Sequence, residues 1–166
     1  MKFFVSAFIC SMLALFALPA YGQDANSGEQ VAGACGQADN VGNNLDQAIE
    51  ALRTLLKSNP ALFECRIRLG YLLLKKAQSD EAKDEFEAVL RQVPGSFSAK
   101  IGKGIALAQK GDLEAAETVL KDAVVLNPDP VKAHYELGLV YERMGKLENA
   151  LSEFRAGINK YESGRK

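Results

Sequence analysis

Apolar residues recur at helical spacing in pairs of segments that a short polar turn separates. In residues 63–96 the recurring apolar positions include Leu69, Leu72, Leu73, Ala82, Phe86, Val89 and Leu90. Their spacing of three to four residues predicts two amphipathic helices that face one another. Pro94 cannot continue a helix and disfavours helical backbone in the residue before it, so the second helix is predicted to end there.

The same arrangement returns every 34 residues along the chain. The recurring positions are Gly36, Gly70, Gly104 and Gly138, then Ala48, Ala82, Ala116 and Ala150, and finally Pro60, Pro94 and Pro128. A period of this length indicates a helical repeat array, in which each two-helix unit buries its apolar face on a neighbour. We therefore predict an all-α fold, an α-α superhelix of antiparallel helix pairs. Its domain covers 44–166, as a half repeat at 44–62 and full repeats at 63–96, 97–130 and 131–164.

Glycine inside a helical pattern is costly unless another part of the chain comes close to its backbone. Gly70, Gly104 and Gly138 lie at the same position of the first helix in each full unit, and the second helix of each has a small alanine. We expect Ala82, Ala116 and Ala150 to lie opposite these glycines.

The last full unit carries the residues of a known repeat signature. In chain order they are His134, Leu137, Gly138, Tyr141, Ala150 and Phe154. This series resembles the tetratricopeptide repeat (TPR) signature W-x2-L-G-x2-Y…A-x3-F. Arg66 and Lys100 replace the large aromatic in the earlier units, and Ala77 stands where Gly111 and Gly145 turn the chain. The resemblance implies a solenoid that binds protein partners.

First helices line a concave groove in TPR arrays, and the resemblance transfers that role to particular positions here. These are Ile67, Tyr71, Leu74, Lys75, Ile101, Ile105, Gln109, Tyr135, Leu139 and Arg143. The lining is largely apolar, which favours an extended or helical segment with apolar anchors as the ligand. The alternative is that the chain's own N-terminal segment or a second copy fills the groove.

Only residues 162–166 follow Tyr161, so we expect the third full unit to have no polar capping helix after it. Leu151 stands where Lys83 and Glu117 stand in the earlier units, so the repeat itself does not require a leucine there. We predict an interface at Leu151 and Ile158, for a partner or a second copy.

Residues 1–22 have the form of a signal peptide. Lys2 precedes a long apolar stretch, and Ala20, Tyr21 and Gly22 match the small-x-small pattern of a cleavage site. Cleavage would give an exported protein, periplasmic or secreted, without an integral membrane span. The alternative is an uncleaved anchor, since the stretch approaches spanning length. Residues 23–43 are predicted to be a degenerate segment with a flexible start.

Export would leave Cys35 and Cys65 in an oxidising compartment, which favours a disulfide between them. The alternative is two small buried hydrophobic residues. One histidine and two distant cysteines do not form a zinc-ligand set.

The charge balance of the chain and its lack of a catalytic residue set bear on nucleic-acid binding and on catalysis. The chain has 20 Lys and Arg against 21 Asp and Glu, a net charge of -1, without a basic stripe for nucleic acid. His134 occupies the place of a packed aromatic, and no Ser, His and Asp constellation accompanies it. We therefore predict no enzyme and no cofactor, but an interaction scaffold for a partner protein or peptide. The alternative is a self-associating structural subunit of an envelope assembly.

Overall fold

The computed structural model describes residues 44–164 together with Cys35. This part of the chain is helical throughout, without strands, and the predicted all-α superhelix is confirmed. The helices are α1 (Leu45–Ser58), α2 (Phe63–Lys75), α3 (Ser79–Gln92), α4 (Phe97–Lys110), α5 (Leu113–Leu126), α6 (Val131–Arg143) and α7 (Leu147–Ser163). Helices α2 and α3, α4 and α5, and α6 and α7 form the three pairs, and α1 packs on α2.

Local chemistry sets the ends of several helices. Asn44 caps the N-terminus of α1, because its side chain accepts a hydrogen bond from the backbone N–H of Asp46. Ser96 caps α4 in the same way, since its hydroxyl accepts a hydrogen bond from the backbone N–H of Ala99. The turn inside each pair has a residue with positive φ, namely Ala77 at 57°, Gly111 at 95° and Gly145 at 73°. The first unit therefore has an alanine at a turn position where the later units have glycine.

The space over each first-helix glycine is filled by a bulky side chain of the second helix. A Cβ added to the glycine would lie less than 3 Å from that side chain in the pairs Gly70 and Phe86, Gly104 and Leu120, and Gly138 and Phe154. These bulky residues come four positions after the alanines that we expected there, which corrects that part of the prediction. The alanines are buried, but their small size is not what fits the glycines.

Polar pairs replace the family aromatic at the start of each first helix. Arg66 contacts Glu85 at 2.6 Å, and Lys100 contacts Asp122 at 3.2 Å. In the last pair, His134 Nδ1 lies 2.7 Å from a carboxylate oxygen of Glu153. Each pair joins the two helices of one unit, so His134 has the half-buried structural position that the sequence indicates.

Candidate protein-binding surfaces

A cavity of about 650 Å³ opens between the first helices of the array, next to α1. Its lining includes the predicted groove residues Ile67, Tyr71, Lys75 and Ile101. Ile67 and Ile101 are buried and form an apolar floor, whereas Lys75 is exposed at the rim. We call this space the groove cavity.

Cations outnumber anions around the groove cavity. Arg68, Lys75 and Lys132 line it, and Glu64 is the one carboxylate among its lining residues. Partial desolvation lowers the pKa of Lys132, and the nearby Glu136 carboxylate opposes that shift. The resemblance did not single out Arg68, although its position one residue after Ile67 puts it on the same helix.

A cation–π contact crosses the groove cavity. The Lys132 Nζ atom of α6 lies 4.0 Å from the centre of the Tyr71 ring of α2. The Tyr71 hydroxyl donates a hydrogen bond of 3.1 Å to the backbone oxygen of Ser98, and burial raises the pKa of Tyr71 well above its usual range. The hydroxyl therefore stays protonated, and residues of all three units meet at this point.

A second and smaller cavity, of about 230 Å³, lies between α4 and α6. It brings together four of the predicted groove residues, Ile105, Gln109, Leu139 and Arg143. Two of these are held by backbone groups, because Gln109 donates to the Leu74 carbonyl and Arg143 donates to the Ala108 carbonyl. The side chain of Leu74 is itself buried in the core and lines neither of these two cavities.

The outer surface of the last pair is apolar. A cavity of about 500 Å³ lies there between α6 and α7, and Tyr135 lines this cavity rather than the other two. Leu151 is 60% exposed and Ile158 is 58% exposed, so both predicted interface residues lie at the surface. We call this surface the open end.

Cys35 and Cys65 lie side by side and are both buried. Their Cα atoms are 5.3 Å apart, a distance that suits a disulfide. The predicted signal peptide at 1–22, and residues 23–43 apart from Cys35, lie outside the described residues.

Neither a metal centre nor a membrane helix is found in the part of the chain that the structure describes. No group of three or more His, Cys, Asp or Glu side chains there is arranged to hold a metal ion. None of the helices α1 to α7 is long and apolar enough to cross a membrane.

Comparison with known proteins gives matches in sequence and in structure. A family profile described as a tetratricopeptide repeat matches residues 43–103, and one described as a TPR repeat matches residues 104–145. MamA from Desulfovibrio magneticus RS-1, in a structure of residues 41 to the end, is 27% identical, with 81% of this chain and 76% of that chain covered and a TM-score of 0.69. No curated protein matches the chain in sequence.

A second solved structure supports the fold alone. The thermophilic TPR protein TTC0263 of Thermus thermophilus is 24% identical, with 79% of this chain and 73% of that chain covered and a TM-score of 0.69. The 34-residue period, the stacked helix pairs and these matches show that the chain belongs to the tetratricopeptide repeat family, whose fold is a protein–protein interaction scaffold.

Proposed function

We propose that the chain is a non-enzymatic scaffold that binds an extended segment of a partner protein in the groove cavity. The observation that carries this proposal is the combination of an apolar floor at Ile67 and Ile101 with cations at the rim. Apolar anchors of the segment would displace water from the floor, and an acidic group would meet the cations.

Lys75 is the best placed of these cations to contact a ligand first. It is exposed, lies at the end of α2 and makes no ion pair within the described residues. Lys132, in contrast, already contacts the Tyr71 ring and interacts electrostatically with Glu136. A ligand carboxylate would therefore pair with Lys75 at a lower cost in lost contacts.

Photocrosslinking in cells tests the location of the partner. A photoreactive amino acid replaces Lys75, and in a matched variant it replaces Val125, which is 84% exposed and lines none of the three cavities. We expect a specific adduct from position 75 and none from position 125. Equal labelling at both positions, or labelling at neither, would contradict binding in the groove cavity.

Charge reversal then tests the chemistry of the ligand. Lys75→Glu should reduce capture of the crosslinked partner by about tenfold, because an attractive contact becomes repulsive. Lys57→Glu makes the same change on the exposed end of α1, away from the cavity lining, and serves as the control. Equal capture by both variants would show that the partner offers no acidic group at this rim.

We also propose that the chain is exported after removal of residues 1–22, to the periplasm or the medium. The form of the N-terminal segment supports this proposal, and so does a pair of cysteines at disulfide distance. The purified protein should begin at Gln23. Retention of the first 22 residues would instead favour the anchored alternative.

A further inference from the structure

The last unit exposes positions that the earlier units bury. Ile101 of the second unit is 2% exposed, and Tyr135, one repeat later in the same register, is 53% exposed. Leu120 is fully buried, whereas its equivalent Phe154 is only partly buried. In the earlier units, the next pair of helices covers these positions. The open end is therefore a stacking face without a neighbour in the described chain.

Helix α7 also has a continuous apolar stripe, which the repeat does not require at Leu151. The stripe consists of Leu147, Leu151, Phe154, Ile158 and Tyr161. The steps of four, three, four and three residues are the heptad spacing of a helix that packs along a second helix. In α3 and α5 the same stripe is interrupted by a charge at its second position, Lys83 or Glu117.

We propose that α7 pairs antiparallel with α7 of a second copy of this chain, around a two-fold axis. In this register Leu147 of one copy packs on Ile158 of the other, and Leu151 packs on Phe154. Two-fold symmetry repeats both contacts, so one surface supplies both sides of the interface. The proposal stands apart from binding in the groove cavity, because it uses a different face.

Charge favours a second copy over an unrelated partner. Glu148 and Arg155 flank the stripe on the same side, one heptad apart, and neither makes an ion pair within residues 44–164. In the antiparallel register, Glu148 of one copy approaches Arg155 of the other, and symmetry gives this pair twice. The surface is thus complementary to itself in charge as well as in shape.

The apolar area suits a dimer that dissociates on dilution. Five large side chains at the open end are each more than half exposed, namely Tyr135, Leu147, Leu151, Ile158 and Tyr161. At ~100 Å² each they provide ~500 Å² per copy, and a stable interface buries ~800 Å² per partner. The polar flanks of α7 would supply the rest.

A charge exchange between two variants tests the proposal. The chain is expressed in full, so that any processing of its N-terminus is the cell's own, and its mass is followed by analytical ultracentrifugation. Glu148→Arg and Arg155→Glu should each raise the Kd of the homodimer about tenfold, because two attractive pairs become repulsive. An equimolar mixture should form a heterodimer as tight as the unaltered homodimer, because both pairs are then complementary. A mixture that associates no better than either variant alone would overturn the proposal, and so would an unaltered chain that stays monomeric up to ~1 mM.

A second pair of variants separates the stripe from the rest of α7. Leu151→Glu should raise the Kd at least ~100-fold while far-UV circular dichroism stays unchanged, because the side chain lies at the surface of the single chain. Lys160→Glu alters the charge of the same helix away from the stripe and should leave the Kd unchanged. A dimer that tolerates Leu151→Glu must use another face, and this result would also overturn the proposal.

Discussion

Phe86 and Phe154 occupy the same place in two units, two repeats apart, yet they have different surroundings. The Phe86 ring is fully buried, because it lies over Gly70 of its own unit and also over Gly102 of the next. The Phe154 ring covers Gly138 and remains partly exposed at the open end. Burial at this position therefore depends on the next unit more than on the residue itself. The same side chain is fully buried in one unit and partly exposed in the other.

Truncation of the two rings gives the largest expected effect. Phe86→Ala should lower the free energy of unfolding by about 3–5 kcal/mol, because it removes a fully buried ring between two units. Phe154→Ala should lower the free energy of unfolding by clearly less, because the Phe154 ring is already partly exposed to water. Urea unfolding of both variants measures the difference. Equal losses would mean that the open end is covered in solution, which a concentration series would reveal as dimer formation.

The two ends of the array also differ in covalent support. A bond between Cys35 and Cys65 would tie the segment before α1 to α2, whereas the described C-terminal unit has no such link. Closing this loop, with a sequence separation of 30, should contribute about 3.7 kcal/mol in the chain-entropy model. Cys65→Ser should therefore lower the urea midpoint by a corresponding amount. Mass spectrometry of the non-reduced protein provides the direct check, because two free thiols would contradict the bond.

A larger side chain at Gly104 tests the tight packing inside a unit. Gly104→Leu should lower the free energy of unfolding by about 1–3 kcal/mol. An added Cβ alone would lie 2.5 Å from the side chain of Leu120, which is fully buried. Gly95→Ala is the control, since no atom lies within 4 Å of its added Cβ. Thermal unfolding distinguishes the two. An unchanged melting temperature for Gly104→Leu would show that α4 and α5 can move apart freely.

Substitutions in the turns inside the first and last units should have the smallest effect on the free energy of unfolding. Ala77→Gly should stabilise the fold by about 0.5–1 kcal/mol, because alanine at positive φ is strained and glycine is not. Gly145→Ala makes the reverse change at the equivalent turn and should cost a similar amount. Urea midpoints that shift in the same direction in both variants would contradict this reasoning.

The fold was predictable because a solenoid repeats one local pattern. Glycines, alanines and prolines 34 residues apart set the number of units, and the apolar spacing set the helices within them. The partners of the glycines were not predictable in this way. Which side chain fills the space over Gly104 depends on the rotation of α5 about its axis, and periodicity alone does not fix that rotation.

The candidate surfaces were predictable only in part for the same reason. A first-helix position identifies a residue near the groove, but neighbouring units decide its exposure. Leu74 is buried in the core, Ile101 forms a cavity floor and Tyr135 lies at the open end, although all three were assigned to the groove. The ion pairs of Arg66 and Lys100 could not be predicted either. Their acidic partners, Glu85 and Asp122, lie at different positions along the second helix of each unit.

The contact between Lys132 and Tyr71 has a consequence for how the array unfolds. In a simple solenoid each unit contacts only its neighbours, so an end unit can fray without affecting the others. Here a side chain of the third unit lies on a ring of the first, at 4.0 Å. A contact of this kind is worth about 0.5–2 kcal/mol. Opening of α6 would break this contact and so destabilise α2, two helix pairs away. Amide hydrogen exchange in α2 and α6 should therefore report one shared opening event rather than two separate ones.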